Sequence, residues 1–218
     1  MAKAKRRKAP TALGSLPLYI RLLDKYYPNP KCALNYETPL QLLVATILSA
    51  QCTDERVNKV TPPLFAKYPD AKAFAGAQIK DLEKLIHSAG FYKNKAKNIK
   101  ACCQAIVERH GGEVPQDLQQ LVALAGVGRK TAHVVLGNAY GLASGVVVDT
   151  HVTRLSNRMG LVTGTNAVPI ERELNKAVEQ KYWINFSHWL ILHGRQVCKA
   201  RSPNCAQCFL QELCPQKI

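Results

Sequence analysis

The stretch "LAGVGRKTA", Leu124–Ala132, decides how the rest of the chain is read. It lies between two short runs with helical spacing of apolar residues, "QDLQQLVALAG" from Gln116 and "RKTAHVVLGNAYG" from Arg129. Two nucleotide-fold readings fail. A Walker loop needs Gly, four residues, then Gly-Lys-Ser/Thr, but Gly128 is followed by Arg129 and Ala123 stands five residues before it. A dinucleotide fingerprint needs a third glycine where Thr131 stands, and a strand before it. What remains is helix, tight glycine turn, helix. Gly126 and Gly128 are expected to take backbone angles closed to other residues, and bare backbone lets N–H groups approach a phosphate. The second helix starts at the turn, so its first N–H groups and positive dipole end point the same way. Gly126, Gly128, Arg129 and Thr131 are therefore a candidate sequence-blind grip on one DNA strand. An ordinary glycine-capped turn is the other reading of the motif taken by itself.

The surrounding composition favours the grip. Lys and Arg number 30 against 15 Asp and Glu, a formal charge of +15 on 218 residues. Such a surplus suits a polyanionic partner, nucleic acid before a membrane surface. Hydrophobic residues make up 47%, enough for a real core. No apolar run approaches the ~20 residues of a membrane span. "MAKAKRRKAP" is basic without an apolar segment after it, so a secretory signal is not expected and a reducing cytoplasm is. Residues 1–12 read as a basic, mobile tail adding non-specific phosphate attraction.

Beyond the tail the pattern is helical throughout. "LPLYIRLLDKYY" and "TPLQLLVATILSAQ" repeat apolar residues at three- and four-residue spacing, the second with Thr38 and Pro39 placed as cap and first helical residue. "DERVNKVTPPLFAKY" is expected to break at Pro62 and Pro63. "IKDLEKLIHSAG" stops at Gly90, and "YKNKAKNIKACCQAIVERHGG" is long and basic on its exposed side. "SGVVVDT" is the one strand-like run. The fold class is all-α, two-lobed, with many short helices and no extensive sheet.

Eight cysteines are present, four of them near the end: Cys198, Cys205, Cys208 and Cys214, spaced C-x6-C-x2-C-x5-C. In a reducing setting this points to metal rather than disulfides. Zinc and a cubane cluster both accept four thiolates, and spacing alone leaves them open. Cys32, Cys52, Cys102 and Cys103 read as buried apolar residues.

"LAGVGRKTA", "VDTHVTRLSNR" and the cysteine tail together resemble the endonuclease III family of helix-hairpin-helix DNA glycosylases. The resemblance runs from "LLVATILSAQCTD" at 42 to Cys214. It implies a 4Fe–4S cluster on the four cysteines. It implies a monomer acting on double-stranded DNA with damaged bases or abasic sites, in the cytoplasm and at the nucleoid in a bacterium. Lys130 matches the family's catalytic lysine. Helix N-termini disfavour positive charge, and a neutral amine can attack a sugar carbon and form a Schiff base. Asp149 matches the partner carboxylate, and its place before "THVTRL" also suits an N-cap. Such a carboxylate stabilises positive charge developing on the sugar as the base departs.

The lesion must leave the stack to be processed. Gln51 in "SAQCTD" matches the residue that fills the vacated space, and Phe91 in "SAGFYKNKA" stands where a wedge would enter. The family commonly carries leucine at the place of Phe91 and proline at that of Ala125, two departures here. Lys199 and Arg201, on the cysteine loop, are candidate phosphate contacts.

The expected organisation is 1–12 as tail, 13–34 with 146–218 as one lobe, and 35–145 as the other, with DNA held in a cleft between them. The expected function is excision of oxidised pyrimidines, then strand cleavage 3′ of the abasic site by β-elimination. One alternative is an adenine-mismatch glycosylase, which usually lacks a lysine at position 130 and carries a further C-terminal domain; Lys130 and the end at Ile218 speak against it. The other is a DNA-binding module without catalysis, against which the lysine–aspartate pair speaks.

Overall fold

The computed structural model describes residues 14–216; the basic tail lies outside them. Among the described residues the regular structure is all helical. In chain order the α-helices are α1 (Leu16–Tyr26), α2 (Pro39–Leu48), α3 (Asp54–Lys67), α4 (Ala71–Gly76), α5 (Ile79–Ile86), α6 (Tyr92–His110), α7 (Leu118–Val122), α8 (Arg129–Tyr140), α9 (Thr150–Arg158), α10 (Ala167–Ala177) and α11 (Trp183–Gln196). They form two compact units. One is Cys32–Ser144; the other joins the chain up to Lys31 with the chain from Gly145 onward. None of the helices is long and apolar enough to cross a membrane.

In the Cys32–Ser144 unit, α2 is the central rod. Thr38 caps it, its hydroxyl accepting from the Gln41 N–H at 3.2 Å, and Pro39 opens it. Every residue from Leu42 to Leu48 is buried, and α3, α6 and α8 surround the helix. A helix apolar on all sides has to be enclosed in this way. The long helix α6 carries α4 and α5.

The expected break at Pro62–Pro63 does not occur, and α3 runs through both prolines. Each proline removes one backbone donor, at roughly 3 kcal/mol for a helix interior. The stripe Val57, Val60, Thr61 and Leu64 is buried on the far side of that defect. Burial of each large apolar side chain returns about 1.5–3 kcal/mol, so tertiary packing overrides the local preference.

The second unit is built around Tyr19, Leu23, Phe186 and Trp189, all fully enclosed. The indole of Trp189 donates to the Tyr27 carbonyl at 3.1 Å, fixing α11 to the end of α1. Helices α9 and α11 meet at Gly194, where a Cβ would lie 2.6 Å from His151 Nδ1. The strand-like run "SGVVVDT" is extended but joins no sheet. Side chains take the place of a partner strand: the Val146 N–H donates to Asn175 Oδ1 and the Val147 N–H to Ser187 Oγ, both at 2.9 Å.

Candidate active site and cysteine loop

The turn between α7 and α8 separates the roles of its two glycines. Gly126 sits at φ +76°, and a Cβ there would come within 2.8 Å of the Asn98 side chain on α6. Gly128, the cap of α8, is extended at φ −91°, and an added Cβ would meet nothing within 4 Å. The expectation that both glycines hold forbidden angles is thus correct for Gly126 and wrong for Gly128. What Gly128 contributes is empty space over the start of α8, with no side-chain oxygen of its own to occupy the first-turn N–H groups. Lys130 and Thr131 follow in that first turn, Lys130 exposed and Thr131 half-buried. Arg129, half-buried, opens the helix.

Two substitutions test this division. Gly126→Ala forces a left-handed angle and displaces Asn98, with an expected loss of about 1–3 kcal/mol. Gly128→Ala should cost no more than about 1 kcal/mol, as a weaker cap for α8, yet weaken DNA binding in a gel-shift titration by placing a methyl group where a phosphate must approach. Equal destabilisation by both would refute the division.

Gln51 and Phe91 belong to the same unit as the hairpin. Both are exposed, Phe91 to 66%, so it is not a core residue. Both also hold positive φ, 54° and 46°, rare for residues with large side chains. Such outliers collect at functional sites.

One further residue in this region has a role that the basic run alone does not announce. Lys95 stands among the lysines that open α6, yet it is buried. Its Nζ donates to the Leu48 carbonyl at 2.7 Å and the Ala89 carbonyl at 2.8 Å. Burial pushes its pKa below the usual lysine range. A signal was present: Lys95 lies in register with Ile99, Cys102 and Ile106 on one helical face.

Asp149 is the N-cap of α9, in the other unit. Both cap bonds fall on one oxygen: Oδ1 accepts from the N–H groups of His151 and Val152, each at 2.8 Å. Oδ2 takes no part in the cap. The carboxylate is therefore oriented by backbone, and the capping role leaves half of it for other work.

The far end of α9 holds the cysteine loop. Arg154 Nη2 donates to the carbonyls of Gly194 and Cys198, at 3.2 and 3.1 Å. Arg158 donates to the carbonyls of Lys199 and Ala200, each at 2.8 Å, and to Cys198 Sγ at 3.4 Å. Neither arginine was singled out from sequence. Lys199 and Arg201 project from this loop, both exposed.

Cys198, Cys205, Cys208 and Cys214 line one pocket and form no disulfide. Among the described residues no three potential ligands converge tightly enough for a single metal ion. Burial pushes the Cys208 and Cys214 thiols up, and the neighbouring sulfurs push them further the same way. That repulsion is what bound positive irons would relieve. Polar groups already face the sulfur of Cys208: the Leu210 N–H donates to it at 3.4 Å, and His193 Nε2 lies 3.4 Å away. Burial raises the Tyr27 pKa to about 12 and lowers that of His193 to about 4. The Tyr27 hydroxyl lies 3.0 Å from His193 Nδ1. When that hydroxyl donates, the imidazole proton lies on Nε2, facing the sulfur. The donor set fits an iron–sulfur cluster, whose thiolates are commonly met by such hydrogen bonds.

Of the other cysteines, Cys102 and Cys103 are buried as expected, the Cys102 thiol pushed up to about 12. Cys32 and Cys52 are only half-buried, because they lie in the loops flanking α2 rather than in a helix.

The comparisons with known proteins agree with this layout. Residues 44–180 match the model of the HhH-GPD superfamily base excision DNA repair protein, and residues 198–214 match the iron–sulfur binding domain of endonuclease III. The chain is 58% identical to the endonuclease III of Synechocystis sp. (strain ATCC 27184 / PCC 6803 / Kazusa) over 194 residues, 89% of each protein. A solved non-covalent endonuclease III–DNA complex superposes with a TM-score of 0.88 at 40% identity, over 94% of this chain and 95% of that one. A trapped endonuclease III–DNA covalent intermediate superposes equally well, over 94% and 96%. With its hairpin, its capped α9 and its four-cysteine loop, the chain belongs to the HhH-GPD superfamily of base excision DNA repair proteins and, within it, to the endonuclease III family.

Proposed function

We propose that the chain excises oxidised pyrimidines from duplex DNA and then cuts the strand 3′ of the abasic site. The observation that carries this reading is Lys130, an exposed amine on the first turn of α8, beside the open backbone at Gly128. The hairpin N–H groups hold a phosphate of the lesion strand, and the target sugar lies within reach of the amine. Lys130 Nζ bonds to C1′ as the glycosidic bond breaks and the base leaves with its electron pair. Loss of the amine proton and opening of the sugar give an imine. Removal of a C2′ proton then expels the 3′ phosphate. Asp149, held by its Oδ1 cap, offers negative charge to the cationic sugar. Gln51 and Phe91 enter the duplex where the base has left it. Lys199 and Arg201 meet phosphates from the cysteine loop, where the cluster serves as a structural clasp. The chain acts as a monomer in the cytoplasm. That a relative at 40% identity has been captured as a covalent DNA intermediate supports the imine step.

Borohydride trapping on a duplex with a single thymine glycol tests the proposal. The expected result is a covalent protein–DNA band that is absent with undamaged duplex. Free base released with no trapped band would replace the imine with direct attack by water. No base release from protein carrying its cluster would overturn the substrate assignment.

A further inference from the structure

Gln51 and Phe91 stand on different loops. Gln51 follows the last residue of α2 by three positions, and Phe91 is the cap of α6. Each holds a left-handed backbone, at roughly 1–3 kcal/mol for a residue with a side chain. Something has to fix both turns. One side chain reaches both: Lys95 Nζ grips the Leu48 carbonyl at the end of α2 and the Ala89 carbonyl two residues before Phe91. Helix ends are where carbonyls lack partners and negative charge collects, so an ammonium suits both. Lys95 is only 5% exposed, and burying a charge is costly unless it is well bonded.

We propose that Lys95 is a positioning residue: its ammonium ties together the two turns from which Gln51 and Phe91 project, so that both enter the duplex as one preset pair. The inference rests on the reading of Gln51 and Phe91 given above. Lys95 touches neither substrate nor the reacting atoms. It acts through the backbone on either side, one helical turn into α6, where its own N–H also bonds the Phe91 carbonyl at 3.1 Å.

The test uses full-length protein and two duplexes. One is undamaged; the other carries a tetrahydrofuran abasic analogue opposite 2-aminopurine, whose fluorescence reports whether the orphaned base has been displaced. Lys95→Met keeps the bulk and removes both donors. Lys95→Leu is the second variant, likewise without a donor, and far-UV helicity shows which of them folds. Lys95→Met should bind undamaged duplex like wild type, lose its preference for the abasic duplex about tenfold, and lose the fluorescence change. Adding Phe91→Ala should then cost little more, because the two act through one arrangement. Full preference and a full fluorescence change in a folded Lys95 variant would overturn the proposal. So would losses that add independently to those of Phe91→Ala, or equal weakening on both duplexes with the fluorescence change intact. Gln51→Ala and Phe91→Ala, run alone, separate the two levels. If they behave as wild type, the reading of those two residues has failed. If they lose the signal and Lys95→Met keeps it, only the positioning role has failed.

Discussion

Lys130→Ala should abolish the borohydride-trapped complex and slow single-turnover excision by on the order of 10⁴-fold or more, the loss that follows when a nucleophile is removed. The same variant should melt slightly higher than wild type. Lys130 is exposed on the first turn of α8, where a cation opposes the helix dipole, and alanine is the better helix former. Relief of about 0.5 kcal/mol corresponds to a gain of roughly 1–2 °C in a chain of this size. Asp149 provides the contrast. Asp149→Asn keeps an oxygen for the His151 and Val152 N–H groups and should melt within about 0.5 kcal/mol of wild type. It loses the negative charge, and with it about 10²–10³ in excision rate. Asp149→Ala loses the cap as well, at about 1 kcal/mol. If Asp149→Asn excised at the wild-type rate, the aspartate would be a cap and nothing more. Differential scanning calorimetry beside single-turnover kinetics reads all three variants.

Cys208→Ala should release the segment from Cys198 to Cys214. Its visible iron–sulfur absorbance should vanish, and limited proteolysis should cut inside that segment. The damage spreads inward because Leu210 is buried in the core of its unit and the Leu213 carbonyl accepts the Tyr19 hydroxyl at 2.6 Å. Losing a buried leucine from a core costs about 2–5 kcal/mol. DNA affinity should fall, with a shallower salt dependence. The pair Lys199→Ala and Arg201→Ala isolates the second effect: the slope of log affinity against log salt should flatten by about 2, one counterion per residue, while the absorbance is kept. An unchanged slope in the double variant would remove those two side chains from the interface.

The helical class was readable because the strongest signals are local. A glycine hairpin, a Thr-Pro helix start and four spaced cysteines each need only a few neighbouring residues to be recognised. What resisted reading depends on what packs against what. Pro62 and Pro63 stay helical because of a buried stripe that only the assembled core supplies. The valines at 146–148 look like a strand, and only the arrival of Asn175 and Ser187 makes a strand partner unnecessary. Lys95 sits in a run of lysines, and only its register with Ile99, Cys102 and Ile106 sets it apart from Lys93 and Lys97, which face out. Gly128 looked like a conformational glycine, and its extended backbone shows that it matters for the space it leaves empty.

The unit formed by the two ends of the chain also imposes an order of events during synthesis. Helix α1 leaves the ribosome early, with Tyr19 and Leu23 ready for burial. The residue whose carbonyl Tyr19 holds lies 194 positions further on, and Trp189, which locks onto Tyr27, lies 162 positions on. The Cys32–Ser144 unit has its whole sequence available while these partners are still being made. Loop closure over such a span is slow compared with closure between neighbouring helices. The apolar face of α1 is therefore left uncovered in the nascent chain, and the interval before α11 and the cysteine loop emerge is when this protein most needs a chaperone's cover.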